Sequence, residues 1–193
     1  MKYLDLRAKI KTNLFTFNDV SKYFAGEDRS LLKTQLSRFI NKNLIGQLKK
    51  GYYYFEKSEI DPYEVASWLY QPSYISLETA LFYYGVIPDV PQNITSVSPT
   101  TTKKLVTPVG IYAYAKISPK LFFGYRWVST TKEKNFSLAK KEKALLDFFY
   151  IRRIKDSTEL RLNLNEFDKR LFQTYVKSYP RWVAQISLDE HFN

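Results

Sequence analysis

Ser30-Leu-Leu-Lys-Thr-Gln-Leu-Ser-Arg-Phe-Ile-Asn-Lys-Asn-Leu-Ile-Gly-Gln-Leu-Lys-Lys-Gly-Tyr-Tyr-Tyr-Phe55 is the stretch whose reading decides the fold of this 193-residue chain. Leu32, Leu36, Phe39, Ile40 and Leu44 recur at helical spacing and define one buried face. The opposite face carries Lys33, Thr34, Ser37, Arg38, Asn41 and Lys42, with no acidic residue among them. An apolar back and a polar, basic front suit a DNA major groove. The helix is expected to stop near Asn43. Ile45 to Leu48 then alternates, Lys49-Lys50-Gly51 turns and Tyr52 to Phe55 returns, a hairpin with a basic tip. Helix plus hairpin reads as the recognition helix and wing of a winged helix-turn-helix.

The flanking residues fit. Lys2 to Ile10 is expected to form a short helix with Leu4, Leu6 and Ile10 partly buried. Phe15-Thr-Phe17 enters the next helix, capped by Thr16 or Asn18, with Val20, Tyr23 and Phe24 as its stripe and Gly26 at its end. Asp28 or Ser30 caps the helix that follows. Two helices joined by a glycine-containing turn fit a helix-turn-helix, and equally an ordinary helical hairpin. The wing and the acid-free face favour DNA. Lys33, Thr34, Ser37, Arg38, Asn41 and Lys42 are therefore the expected base and phosphate contacts, with Lys49 and Lys50 on phosphates.

Composition agrees. Net charge is +11. Residues 1–60 carry 12 Lys/Arg against 6 Asp/Glu, and residues 61–155 carry 13 against 7. Residues 156–193 carry 5 against 6, so the basic excess lies in the first four-fifths of the chain. Such an excess attracts polyanions, unless it is merely a solvated surface. No run of eighteen apolar residues is present, so no membrane partner is expected. Met1 to Arg7 lacks an apolar signal core, so a cytoplasmic protein is expected.

The fold class expected is α+β. A winged helix-turn-helix over residues 1–60 precedes a mixed α/β domain with a small antiparallel sheet over residues 61–193. Asp61-Pro62 opens a helix running to Leu69, assignable to either domain, and Gln71-Pro72 stops it. A further helix is expected between Ser76, as cap, and Gly85. Ile94 to Ser98 and Leu105 to Thr107 read as strands, with a polar loop over Pro99 to Lys104. Ile111 to Ile117 and Phe122 to Val128 read as an antiparallel pair. Thr130 to Asn135 reads as a loop. Ser137 is expected to cap a helix over Leu138 to Tyr150, with Lys140, Lys141 and Lys143 facing outward. Asn165 opens a last helix, Glu166 to Lys177, ended by Pro180. Trp68, Trp127 and Trp182 are expected in the core or between domains.

Tyr74-Ile-Ser-Leu-Glu-Thr-Ala-Leu-Phe-Tyr-Tyr-Gly-Val-Ile-Pro88, Ile94-Thr-Ser-Val-Ser98 and Lys141-Glu-Lys-Ala-Leu-Leu-Asp147 follow the basic N-terminal segment in that order. The arrangement resembles the AbiEi-type antitoxins of type IV (abortive infection) toxin–antitoxin operons, over nearly the whole chain. The resemblance implies that the N-terminal domain binds the operon's own promoter as double-stranded DNA and represses it. It also implies that the C-terminal domain counters a nucleotidyltransferase-type toxin. It brings no catalytic residue and no cofactor.

Enzyme chemistry has little to work with. Cysteine is absent, one histidine stands near the end, and there is no phosphate-binding glycine loop. No metal site is expected. Glu142 and Asp147 lie five apart on one helix and do not share a face. Glu78 approaching Asp147, as in a metal nuclease, is weighed against Glu78 supporting its helix N-terminus and Asp147 pairing with a nearby cation. Two other functions stay open: a plain winged-helix transcription factor whose second domain dimerises or senses a ligand, and a protein-binding antitoxin with a vestigial winged helix.

Overall fold

Residues 1–129 and 135–191 are described by a computed structural model. The fold is mixed α and β, with a small antiparallel sheet and a larger mixed sheet. Packing divides the chain into two units, Met1–Asp61 with Thr107–Val109, and Pro62–Val106 with Gly110–Asn193. Among the described residues no helix is long and apolar enough to cross a membrane.

The first unit runs α1 (Tyr3–Lys9), β1 (Leu14–Thr16), α2 (Phe17–Tyr23), α3 (Arg29–Asn41), β2 (Gly46–Lys49) and β3 (Tyr52–Tyr54). Thr16, not Asn18, caps α2 in a reciprocal box with Asp19. Asp28, not Ser30, caps α3 through the Ser30 and Leu31 N–H groups. Helix α3 ends where Asn43 enters the left-handed region. Leu6, Phe15, Val20, Leu32, Leu36, Phe39, Tyr53 and Phe55 meet in one core. Each such side chain contributes roughly 1.5–3 kcal/mol by leaving water.

Three expectations change here. Phe15 and Thr16 do not lead straight into a helix but form β1, which pairs antiparallel with β3 and makes the hairpin a three-stranded sheet. The cause is Phe15, whose ring stacks on Phe55 at 4.5 Å and on Tyr53 at 5.6 Å. Helix α2 ends at Tyr23, before Gly26, and Tyr23 is 50% exposed. Leu4 is exposed too, because α1 turns only Leu6 fully inward. In the hairpin, Tyr53 and Tyr54 are both buried, on opposite faces of β3. Tyr54 lies over Gly46, where a Cβ would stand 1.9 Å from its ring, so β2 needs glycine there. Gly51 takes φ +82° in the turn.

The second unit runs α4 (Pro62–Leu69), β4 (Tyr74–Ile75), α5 (Leu77–Tyr83), β5 (Ile94–Ser98), β6 (Lys103–Thr107), β7 (Gly110–Lys116), β8 (Tyr125–Ser129), β9 (Asn135–Ala139), α6 (Lys141–Arg152), α7 (Lys169–Val176) and α8 (Arg181–Ala184). Its sheet has six strands in the order β6-β7-β5-β4-β9-β8. Strand β5 is parallel to β7, β4 is parallel to β9, and β4 is antiparallel to β5. The sheet is thus larger than expected and mixed.

Helix α4 covers one face: the Tyr114 hydroxyl donates to the Ala66 carbonyl at 2.8 Å, and the Tyr63 ring packs on Phe136 at 5.4 Å. Helix α6 lies against the other face, where Tyr74 meets Asp147. Gly85, at φ +66°, ends α5 as expected.

The strand pairing departs from the sequence reading. Strand β7 does not pair with β8, because β5 and β6 already occupy its two edges. Strand β8 pairs antiparallel with β9 instead. Residues 135–139 are therefore strand, not loop and helix start, and Ser137 caps nothing. Helix α6 begins at Lys141, and Lys143 points inward, with no exposed surface, rather than outward. Lys103 and Lys104 belong to β6 rather than to a loop. Helix α7 begins at Lys169 with Asp168 as its cap, displacing Asn165. Pro180 then opens α8. The part of the expected loop over residues 130–134 lies outside the described residues.

Candidate functional site

Buried Leu32, Leu36 and Phe39 form the inner face of α3. Lys33, Thr34, Ser37, Arg38 and Asn41 share one exposed face, and exposed Lys42 follows as the C-cap. Thr34 and Ser37 turn their hydroxyls back onto the carbonyls of Ser30 and Lys33, at 3.0 and 3.1 Å. Their methyl and methylene surfaces remain outward, while Arg38, Asn41 and Lys42 keep free reach. Among the described residues no carboxylate pairs with Lys33, Arg38 or Lys42. Asp28, the nearest acid along the helix, is held below the usual carboxylate range by the Ser30 hydroxyl and the first N–H groups of α3. It is spent on capping.

Phe17 ties this face to the hairpin. The Lys33 ammonium and the Arg29 guanidinium lie 5.4 and 5.0 Å from its ring centroid. The Phe17 N–H donates to the Gly51 carbonyl in the β2–β3 turn at 2.8 Å. Lys33, Arg29 and the turn bearing exposed Lys50 thus gather around one aromatic ring. Lys49 is half-buried, its ammonium 3.9 Å from the Tyr52 ring centroid. Arg29, the first residue of α3, is not among the contacts expected from the sequence. Its spacing of four from Lys33 was the available signal.

The second unit holds a different constellation. Lys143 and Asp147, four apart on α6, form a buried ion pair with neither side chain exposed. The ammonium also donates to the Tyr74 hydroxyl at 2.8 Å and to the Tyr179 hydroxyl at 2.7 Å. Asp147 accepts from Tyr74 at 3.0 Å, Ser76 at 2.8 Å and Tyr179 at 2.6 Å. All three ammonium protons and both carboxylate oxygens are used. Burial pushes the Lys143 ammonium below its ordinary value, against the pull of Asp147. Burial first, then the Asp147 charge, pushes the Tyr179 and Tyr74 hydroxyls up. Gly124, at φ +72°, passes so close that a Cβ would meet Lys143 carbons at 3.1 Å. Ser76 stands at the N-cap of α5, but its hydroxyl serves Asp147 instead of the helix.

Glu78 and Asp147 are not brought together. Glu78 binds Arg152 through two hydrogen bonds of 2.5 and 2.9 Å, and Asp147 is taken by Lys143. Glu142 is buried and accepts the Asp168 N–H at 3.0 Å, fixing the start of α7. Among the described residues no group of three or more His, Asp or Glu stands ready to hold a metal. Of the tryptophans, Trp68 and Trp182 are half-buried, but Trp127 is 64% exposed, against expectation, because β8 ends the sheet. No known family's sequence profile matches the chain, and no curated protein matches it.

Proposed function

We propose that the chain is an antitoxin and transcriptional autorepressor of a bacterial toxin–antitoxin operon. The first unit acts as a winged helix-turn-helix: α2 and α3 form the helix pair, α3 enters the major groove, and the β2–β3 hairpin is the wing. The observation that carries this is the acid-free exposed face of α3. Its cations have no carboxylate partner among the described residues, so they keep their charge for phosphate and base edges. The second unit counters a nucleotidyltransferase-type toxin by binding rather than by catalysis, in the cytoplasm. That half rests on the resemblance of the 74–88, 94–98 and 141–147 segments to AbiEi-type antitoxins.

A gel shift on the gene's own promoter tests the DNA half. Arg38→Ala should weaken specific binding by about 1–3 kcal/mol, the worth of a base-edge contact. Unchanged affinity in both Arg38→Ala and Lys33→Ala removes α3 as the reading helix. Co-expression with the neighbouring toxin tests the other half. An Arg38→Ala/Lys42→Ala chain that still restores growth supports antagonism independent of repression. If only DNA-binding protein rescues, the chain is a plain winged-helix regulator whose second unit dimerises or senses a ligand.

A further inference from the structure

Strand β8 is the outermost strand on its side of the large sheet. Tyr125 and Trp127 occupy alternate positions on it and share the face that carries Tyr74. They are 40% and 64% exposed. Tyr125 stacks on buried Tyr74 at 4.5 Å and 17°, and Phe122 sits 5.3 Å from Tyr125 and 5.1 Å from Tyr74. The result is an aromatic floor anchored in the core and open at Trp127. It lines a groove of about 460 Å³ together with Ser67, Gln71, Pro72, Ser73 and Ser137. That volume lies in the range of small-ligand sites. Among the described residues the lining holds three aromatic rings, one proline and four hydrogen-bonding side chains, and no Leu, Ile, Val or Met.

The segment that carries this face is basic. Residues 116–141 contain seven lysines and arginines against one acid, Glu133. Lys116 and Lys120 are both exposed on the segment that leads into Phe122. Flat rings, hydrogen-bonding groups and an excess of cations are what successive bases on a phosphate backbone require.

We infer that this face binds single-stranded nucleic acid, with bases stacking on Trp127 and Tyr125 and phosphates meeting Lys116 and Lys120. It does not rest on duplex binding by α3. The polar lining reads base edges weakly, so recognition is by stacking and charge, tolerant of sequence.

The test uses the full chain carrying Arg38→Ala/Lys42→Ala, which separates this face from α3. Fluorescein-labelled oligouridylate and oligothymidylate, each on the order of 12 nucleotides long, are titrated by anisotropy at about 50 mM salt. Both should bind, and binding should quench tryptophan fluorescence. Trp127→Ala should weaken binding about tenfold, the effect of losing one stacked base, while Trp127→Phe retains most of it. Lys116→Ala/Lys120→Ala should reduce the salt slope by about one to two. Tighter binding of the uridylate would add recognition of the 2′-hydroxyl. Binding of neither oligonucleotide, or equal competition by duplex, overturns the inference. So does unchanged affinity in Trp127→Ala, which would leave only diffuse attraction. Loss of toxin antagonism in Trp127→Ala, with no oligonucleotide binding by the parent chain, would hand the face to a protein partner.

Discussion

Replacing Lys143 by Met removes the cation from a site with no exposed surface. Asp147 would stay buried, now without an opposite charge, but with the Tyr74, Ser76 and Tyr179 hydroxyls still donating. Breaking a buried pair by removing one member costs about 3–5 kcal/mol, because the remaining charge is stranded. Three surviving donors place Lys143→Met near the lower end, about 3 kcal/mol. Asp147→Leu strands an ammonium with only two hydroxyl acceptors, Tyr74 and Tyr179, and should cost about 5 kcal/mol. The double variant Lys143→Met/Asp147→Leu strands no charge. It should cost well under the sum of the two, about 2–3 kcal/mol, mostly for the three hydroxyls left without partners. The assay is urea unfolding followed by tryptophan fluorescence. Trp68, Trp127 and Trp182 all lie in the second unit, so the signal reports that unit alone. Single variants costing less than about 1 kcal/mol, or a double variant equal to the sum, would refute the strut formed by this pair.

Other expectations concern the hairpin, a glycine and the alkaline limb. Lys49→Ala/Lys50→Ala should weaken specific and random DNA alike and lower the salt slope of binding by about one to two; a fixed slope with lost specificity would mean that the hairpin reads bases. Gly46→Ala forces a Cβ into the Tyr54 ring and should destabilise the first unit by about 1–3 kcal/mol, measured by circular dichroism, with partial recovery on adding Tyr54→Ala. Burial raises the Tyr74, Tyr114 and Tyr179 hydroxyls above the ordinary 10.0. Their contribution to stability is therefore complete below pH 10 and lost as pH rises through the raised values. Lys143 works the other way only below its ordinary 10.5, so above that pH the tyrosines govern. Tyr114→Phe should flatten the alkaline slope of an unfolding titration by up to about 1.4 kcal/mol per pH unit, and an unaltered slope would count against the raised hydroxyl.

What the sequence made legible follows the range of the interactions. Helix α3 could be read because Leu32, Leu36 and Phe39 bury against their own unit at a spacing that sequence alone displays. Its polar face came with it. Strand β1 could not be read, because three residues of strand run straight into a helix and only the distant Phe55 and Tyr53 hold Phe15 in place. Strand β9 was hidden for the same reason. Phe136, Leu138 and Ala139 join the periodic run from Ala144 to Phe149, and only partners at Ile75 and Arg126 separate strand from helix. The burial of Lys143 depends on Tyr74 and Tyr179, 69 and 36 residues away. Its local trace was the Lys-to-Asp spacing of four, which surface helices share. Trp127 was misplaced because a tryptophan in an apolar strand reads as core until the strand proves to be the last in its sheet.

The placement of lysine separates function from architecture better than the net charge of +11 does. A carboxylate partner fixes a cation but cancels its field, as at Lys143 and Arg152. An aromatic ring orients a cation and leaves its charge intact. Phe17 does this for Arg29 and Lys33. Cations steered by rings lose less side-chain freedom on meeting a phosphate, because part of that ordering is already present in the free protein. Phe17 also bonds through its N–H to Gly51, so the ring that orients the α3 cations is fastened to the hairpin turn. A single aromatic residue thus sets the spacing between the two basic elements that the proposed DNA interface requires.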